Sequence, residues 1–164
     1  MAPKPDYRLQ ALLDLRERKK EEAEKALGEA LAAHKRELAK QKEMQAELAR
    51  MAAKREQRKR EYAEKAMRGE MSAQDVVTAN TYIDRLKEQE EAQKNAIEGQ
   101  KAIVAQKQQE VDAARVALTK AMQDQKALEK HKEKFVEDWK KEVQAKEEEA
   151  MDELAQSIFM RKDR

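Results

Sequence analysis

The chain has 164 residues, of which 43% are charged and 4% aromatic, and it contains no cysteine. This composition excludes disulfides and thiolate metal sites, and it provides too few aromatic residues for a compact globular core. Basic and acidic residues are interleaved and leave a net charge of +2, which argues against nucleic acid as the main partner. Because proline and glycine are also scarce, the composition predicts a long helix or coiled coil rather than disorder.

Nothing in the sequence indicates a membrane-spanning or secreted protein. No apolar run approaches the roughly 18 residues that are needed to cross a bilayer. The N-terminal sequence MAPKPDYRLQ contains no apolar segment of the signal-peptide type. We therefore expect a cytoplasmic protein with no direct membrane insertion.

A first helix is predicted from about residue 7 to residue 67. Apolar, small and polar residues recur there at alternating intervals of four and three, which places them on one stripe that faces a partner helix. The members of this stripe include Leu27, Leu31, His34, Leu38, Gln41, Gln45, Leu48 and Ala52.

The sequence MRGEMSAQDVV at residues 67–77 predicts a reversal of the chain. Gly69 can adopt the left-handed backbone conformation that ends a helix. Ser72 can accept a hydrogen bond from the first turn of the next helix, and Asp75 can return one while it favours the positive end of the helix dipole. The predicted turn therefore occupies residues 68–72.

A second helix is predicted from about residue 73 to residue 160. Its seven-residue repeat is the clearer of the two and extends far enough to predict a left-handed supercoil. One seam position is occupied by Val76, Ile83, Glu90, Ile97, Val104, Val111 and Leu118, and the other by Ala79, Leu86, Gln93, Gln100, Lys107, Ala114 and Ala121.

A short connection makes two long helices antiparallel neighbours, and residues whose numbers sum to about 140 then lie opposite each other. Leu31 is expected to face Val111, and Gln41 to face Gln100. The fold class is thus predicted as all-α: a long two-helix antiparallel coiled-coil hairpin. We expect a single elongated domain, residues 1–164, that is monomeric.

This pairing leaves a C-terminal single-helix overhang. If the first helix starts near residue 7, its partner lies near residues 132–135, so about 25 residues of the second helix extend beyond it. Exposed apolar stripes tend to mark interaction sites. Alternatively, residues 1–8, especially Tyr7, fold back over part of the stripe, or two copies pair there. The candidate partner-binding residues are Trp139, Val143, Met151, Leu154, Ile158 and Phe159.

The sequence contains no recognisable catalytic arrangement. The two histidines, His34 and His131, are expected to lie far apart, and no glycine-rich phosphate loop or nucleophile elbow is present. We predict no enzymatic activity, no metal site and no cofactor. A basic run at residues 54–60 and an acidic run at residues 146–153 are either solvated helix faces or a device that orients the protein between two partners.

Three segments resemble the stalk proteins of bacterial type III secretion, which include the flagellar export protein FliJ and its injectisome counterpart YscO. They are YRLQALLDLRERKKEEAEKAL near the N-terminus, MSAQDVVTANTYIDRL in the middle and EEAMDELAQSIFMRK near the C-terminus. They occur in the same order as in the family and span nearly the whole chain. The region VALTKAMQDQKALEKHKEKFVEDWKKE looks more similar to the flagellar branch.

The resemblance implies a non-enzymatic stalk that sits in the pore of a hexameric secretion ATPase and reaches the cytoplasmic part of the membrane export gate. It also implies contact with export chaperones and a location peripheral to the inner-membrane secretion apparatus. The end where both termini meet would enter the ATPase ring, and Tyr82 and Leu86 would lie on the export-gate side. Two alternatives remain open: a coiled-coil tether or chaperone-escort protein, and a homodimeric structural rod.

Overall fold

The computed structural model of the chain describes residues 4–163. Over these residues the chain forms two helices, α1 (Gln10–Met67) and α2 (Ala73–Lys162), and no β-strand. The predicted all-α fold of two long helices is therefore confirmed. Helix α1 begins at Gln10 rather than near Tyr7, because the Gln10 amide bonds to the Tyr7 carbonyl in a tight turn (3.0 Å) and residues 4–7 are not helical.

The chain comprises two compact units, and each contains a segment of both helices. Unit 1 combines Met1–Lys25 with Val116–Arg164, and unit 2 is Ala26–Arg115. The connection between α1 and α2 belongs to unit 2. The single domain over residues 1–164 stays a prediction.

In unit 2 the segments of α1 and α2 pack against each other in antiparallel orientation. The Gln100 side-chain amide donates to the backbone carbonyl of Glu37 (2.9 Å), and that of Gln93 donates to the carbonyl of Met44 (3.0 Å). The residue numbers rise along one helix as they fall along the other, which is the order expected of an antiparallel pair.

The cross-helix contacts of unit 2 lie on both sides of the predicted register: the residue numbers of Gln100 and Glu37 sum to 137 and those of Arg55 and Glu90 to 145, against the expected value of about 140. The Gln100 side chain bonds to Glu37, one helical turn before the Gln41 that it was expected to face. The same Gln100 amide also donates to the Glu37 carboxylate at 2.6 Å. Buried polar groups require hydrogen-bond partners, and Glu37 offers both a carbonyl and a carboxylate oxygen to a glutamine that is only 3% exposed.

The core of unit 2 is a narrow seam along α2. Its buried residues follow the four-and-three spacing of the predicted repeat, so the repeat does identify the buried face. Val111 is the most completely covered side chain, at 1% exposure. Burial of an aliphatic side chain of this kind contributes about 1.5–3 kcal/mol. The buried seam residues are Ala79, Ile83, Leu86, Glu90, Ile97, Gln100 and Val111.

One seam carboxylate is neutralised by a cation from α1. Arg55 Nε donates to Glu90 Oε2 at 2.6 Å, and the Arg55 guanidinium also reaches the Glu56 carboxylate at 2.8 Å. The hydrogen bond to Glu90 raises the pKa of Arg55. A buried carboxylate needs such a partner, so the polar residue in the repeat is satisfied across the helix pair.

The turn between the helices is closed by local hydrogen bonds. Gly69 has a φ of 71°. Its amide donates to the Ala66 carbonyl (3.1 Å) and the Glu70 amide to the Lys65 carbonyl (3.0 Å), which is the Schellman pattern of a helix C-terminus. This pattern requires a left-handed residue at position 69, and glycine adopts that conformation at no steric cost.

The start of α2 is closed by a reciprocal pair of hydrogen bonds. The Ser72 amide donates to Asp75 Oδ2 at 3.0 Å, and the Asp75 amide donates to Ser72 Oγ at 3.1 Å. The hydrogen bond from the Ser72 backbone lowers the pKa of the Asp75 carboxyl. Two amides that the first helical turn cannot satisfy are thereby paired.

Replacing Gly69 with alanine is expected to lower the free energy of unfolding by about 1 kcal/mol, because an added Cβ is unfavourable at a positive φ. The matched control is Gly28→Ala in the interior of α1, where an added Cβ meets nothing within 4 Å. That change should stabilise the helix by about 0.5–1 kcal/mol. Urea denaturation followed by circular dichroism checks both, and two changes of the same sign would contradict the assignment.

In unit 1 the first turns of α1 also pack antiparallel to α2. Lys132 Nζ donates to Gln10 Oε1 at 2.6 Å, and Arg16 pairs with Asp124 at 3.3 Å. Leu13 lies between these polar contacts and is 4% exposed. These interactions hold the beginning of α1 against α2 in the region of residues 124–132.

Candidate protein-interaction surface

The C-terminal part of α2 extends beyond the first residue of α1. Its side chains are no longer buried there by other residues of the described chain. Trp139 and Val143 are half-buried, whereas every residue from 144 to 163 is exposed. We call residues 144–163 the overhang. The predicted C-terminal single-helix extension is thus present, although full exposure begins after Val143 and not near residue 136.

The overhang carries large apolar side chains that contact no other part of the described chain closely enough to be buried. Met151, Leu154 and Ile158 follow at intervals of three and four and therefore lie on one stripe of the helix. Met151 is 66% exposed, Leu154 56%, Ile158 50% and Phe159 67%. Of the six candidate residues, these four form the exposed surface, and Trp139 and Val143 lie where the cover ends.

The overhang is also acidic, and its charges are not paired within residues 4–163. Glu148 accepts a hydrogen bond from the Gln144 amide at 3.3 Å. No ion pair joins any carboxylate of residues 147–153 to a cation of the described chain. Elsewhere many helix-surface charges are paired, for example Arg50 with Glu47 at 2.6 Å.

The segment ahead of α1 covers α2 just before the overhang. The Tyr7 hydroxyl lies 2.7 Å from His131 Nδ1, and the Tyr7 ring packs on Phe135 with a centroid distance of 5.3 Å. Lys132 Nζ lies 6.0 Å from the centre of the same ring, and Tyr7 is 7% exposed. Tyr7 therefore folds back on α2 at His131 and Phe135, ahead of the candidate stripe, and residues 144–163 stay exposed.

The two residues proposed for the export-gate side have different environments in unit 2. Tyr82 is half-buried, whereas Leu86 is buried at 7% exposure. Leu86 follows Ile83 by three residues and precedes Glu90 by four, so it lies on the seam. A place for Tyr82 and Leu86 on the export-gate side stays a prediction; in the structure the Leu86 side chain packs in the seam, and Tyr82 is the more accessible of the two.

Sequence reasoning missed Glu147 as a member of the exposed stripe. Glu147 precedes Met151 by four residues and Leu154 by seven, which places it on the same line of the helix surface. The spacing alone could have identified it, but a search for apolar residues passes over a glutamate.

Chemical sites of other kinds are not seen in the part of the chain that the structure describes. Over residues 4–163, no group of three or more His, Cys, Asp or Glu side chains could hold a metal ion. Neither helix contains a stretch in this range that is both long and apolar enough to cross a membrane.

Comparison with known proteins agrees with the fold. The model of the YscO-like protein family matches residues 4–164. A solved structure of CT670, described as a YscO homolog from Chlamydia trachomatis, matches with a TM-score of 0.81 and 24% sequence identity and covers 95% of this chain and 96% of that one. At this identity the likeness establishes the two-helix fold. No curated protein matches the chain significantly.

The family match extends over nearly the whole chain, including the turn of unit 2 and the overhang of unit 1. It confirms the resemblance to type III secretion proteins that the three sequence segments indicate. The lean toward the flagellar branch stays a prediction. The chain belongs to the YscO-like protein family and is a protein of type III secretion.

Proposed function

We propose that this chain is the central stalk of a type III secretion system, a non-enzymatic component that inserts in the hexameric secretion ATPase and links it to the export gate. Membership of the YscO-like family supports the proposal. The observation that carries it is the overhang, a stretch of single helix whose large apolar side chains are 50–67% exposed at Met151, Leu154, Ile158 and Phe159.

A single helix is suited to entering the pore of a ring. With its side chains it is about 10–12 Å wide, whereas a helix pair adds a second axis about 8–10 Å away. An apolar stripe on one side of the helix contacts only some subunits of a six-fold ring at a time. Such asymmetric contact is what coupling to sequential ATP hydrolysis requires.

We propose two further contacts, one with the export gate and one with export chaperones. The cytoplasmic part of the export-gate membrane protein engages the exposed surface around Tyr82, whose neighbour Leu86 supports it from the seam. Export chaperones are further partners. The protein then acts as a monomer on the cytoplasmic side of the inner-membrane secretion apparatus.

Deleting residues 144–164 is expected to abolish stimulation of the purified secretion ATPase, because it removes the exposed stripe and leaves the contacts at Tyr7 and Arg16 in place. The point variant Leu154→Asp should weaken the apparent affinity at least about tenfold, as expected of a central apolar contact. The control is Val116→Asp on α2, because Val116 is 70% exposed and lies outside the overhang. Steady-state ATP hydrolysis with increasing amounts of each variant measures the effect.

Stimulation that survives the deletion would refute the placement of the ATPase contact. Binding of an export chaperone with no effect on hydrolysis would favour a chaperone-escort protein. Sedimentation equilibrium of the same samples distinguishes the third alternative, since a homodimeric rod would show twice the monomer mass.

A further inference from the structure

We infer that the surface which receives the overhang places a lysine or arginine against Glu147 and presents further basic groups beside Glu148 and Asp152. The inference rests on the proposed function, in which the secretion ATPase is the occupant. It concerns the chemistry of the contact, which the proposed function leaves open.

Glu147 lies on the exposed stripe of the overhang. Glu147, Met151, Leu154 and Ile158 follow at intervals of four, three and four, so they form one continuous line on the helix. On this line Glu147 lies between Val143 and Met151, so a partner that contacts both of these residues also covers Glu147.

Covering the Glu147 carboxylate costs free energy unless a cation pairs with it. Glu147 forms no ion pair with any residue in the range 4–163. A carboxylate that is removed from water without a cation or hydrogen-bond donors is strongly destabilising. The seam of unit 2 shows how this chain solves the problem, because the buried Glu90 is paired with Arg55 at 2.6 Å. At Glu147 the cation has to come from the partner.

The carboxylates of the overhang also repel one another. Glu148 and Asp152 are four residues apart, as are Glu149 and Glu153, and like charges at this spacing destabilise a helix. This segment receives no compensating burial from α1, since all its residues are exposed. Basic groups on the partner would relieve the repulsion on the side of the helix that carries the apolar stripe.

The charge changes sign along the overhang, which gives the contact a direction. Five of the six carboxylates of the overhang precede Leu154, whereas Arg161 and Lys162 follow Ile158 together with the sixth, Asp163. A complementary surface is basic where it meets the first part of the overhang and acidic where it meets the last. Electrostatic complementarity of this kind fixes register and speeds association more than it adds affinity.

The experiment measures the Kd of the full chain for the purified secretion ATPase at low and high salt. Glu147→Lys is expected to weaken binding at least about tenfold, because it opposes the partner's cation with a like charge. Glu149→Lys makes the same change of charge on the opposite side of the helix, and we expect less than about a threefold effect. High salt should narrow the gap between them. Circular dichroism of each variant confirms that the helix content is unchanged.

Glu147→Leu separates the inferred ion pair from simple apolar contact. If the receiving surface is only apolar, this variant should bind more tightly than the parent chain. If the partner presents a cation, the variant should bind about fivefold or more weakly, because that cation loses its carboxylate. Tighter binding of Glu147→Leu, or equal effects of Glu147→Lys and Glu149→Lys, would overturn this inference alone. A parent chain that does not bind the ATPase would overturn the proposed function with it.

Discussion

Replacing Val111 with aspartate is expected to lower the free energy of unfolding by about 3–5 kcal/mol. Val111 is 1% exposed in the seam of unit 2. The substitution removes about 1.5–3 kcal/mol of apolar burial and places an unpaired carboxylate in its position. A two-helix unit has no second layer that could absorb this change. Urea denaturation followed by far-UV circular dichroism measures the difference.

Val116→Asp provides the control within the same helix. Val116 is 70% exposed, so the same substitution there should change the free energy of unfolding by no more than about 0.5 kcal/mol. If the two variants unfold at the same urea concentration, Val111 cannot lie in the seam and the assigned pairing of α1 with α2 is wrong.

Tyr7→Ala is expected to lower the local free energy of opening around residues 131–135 by about 2–3 kcal/mol. The change removes a ring that is 7% exposed and packs on Phe135 at 5.3 Å. Burial of an aromatic side chain and an aromatic pair together account for an effect of this size. Because Tyr7 precedes α1, the effect is local, and hydrogen exchange of the backbone amides of residues 131–139 is the suitable measurement.

Tyr7→Phe separates the ring from the hydroxyl. This variant keeps the contact with Phe135 and loses only the hydrogen bond to His131 Nδ1, which spans 2.7 Å. We expect a loss of about 1 kcal/mol, the usual net contribution of one hydrogen bond. Amide protection that is unchanged in Tyr7→Ala would show that the segment ahead of α1 does not hold α2.

The turn and the helix ends are the parts of the fold that local sequence predicts best. The positive φ of Gly69 and the hydrogen bonds between Ser72 and Asp75 involve residues at most three positions apart. Their geometry depends on glycine's freedom and on short side-chain acceptors, which are properties of those residues themselves. The start of α1 is less predictable, because the turn from Tyr7 to Gln10 accompanies the packing of Tyr7 on α2.

The sequence predicts that the candidate surface is an apolar stripe on a single helix, but it does not predict at which residue the exposed part begins. The pairing predicted from the sequence implies that α2 extends beyond the start of α1. The spacing of Met151, Leu154 and Ile158 places these apolar residues on one stripe of that extension. The point at which cover ends depends on how far α1 and the segment ahead of it reach along α2. The pairing of Arg55 with Glu90 likewise required the packed structure, whereas the burial of Leu86 agrees with its place in the predicted repeat.

By itself, the sequence determined that the chain forms two helices, that they reverse at Gly69, and which stripe of α2 is buried. These features follow from backbone propensities and from a seven-residue repeat that can be recognised in α2 without knowledge of the helix that packs against it. Only the tertiary structure decided which polar side chains pair across the helices, as Gln100 does with Glu37, and where exposure begins after Val143. A heptad repeat is unchanged by a shift of seven residues, about two turns, so several registers bury similar apolar area. The choice among them depends on a few long polar side chains that must find acceptors across the helix pair.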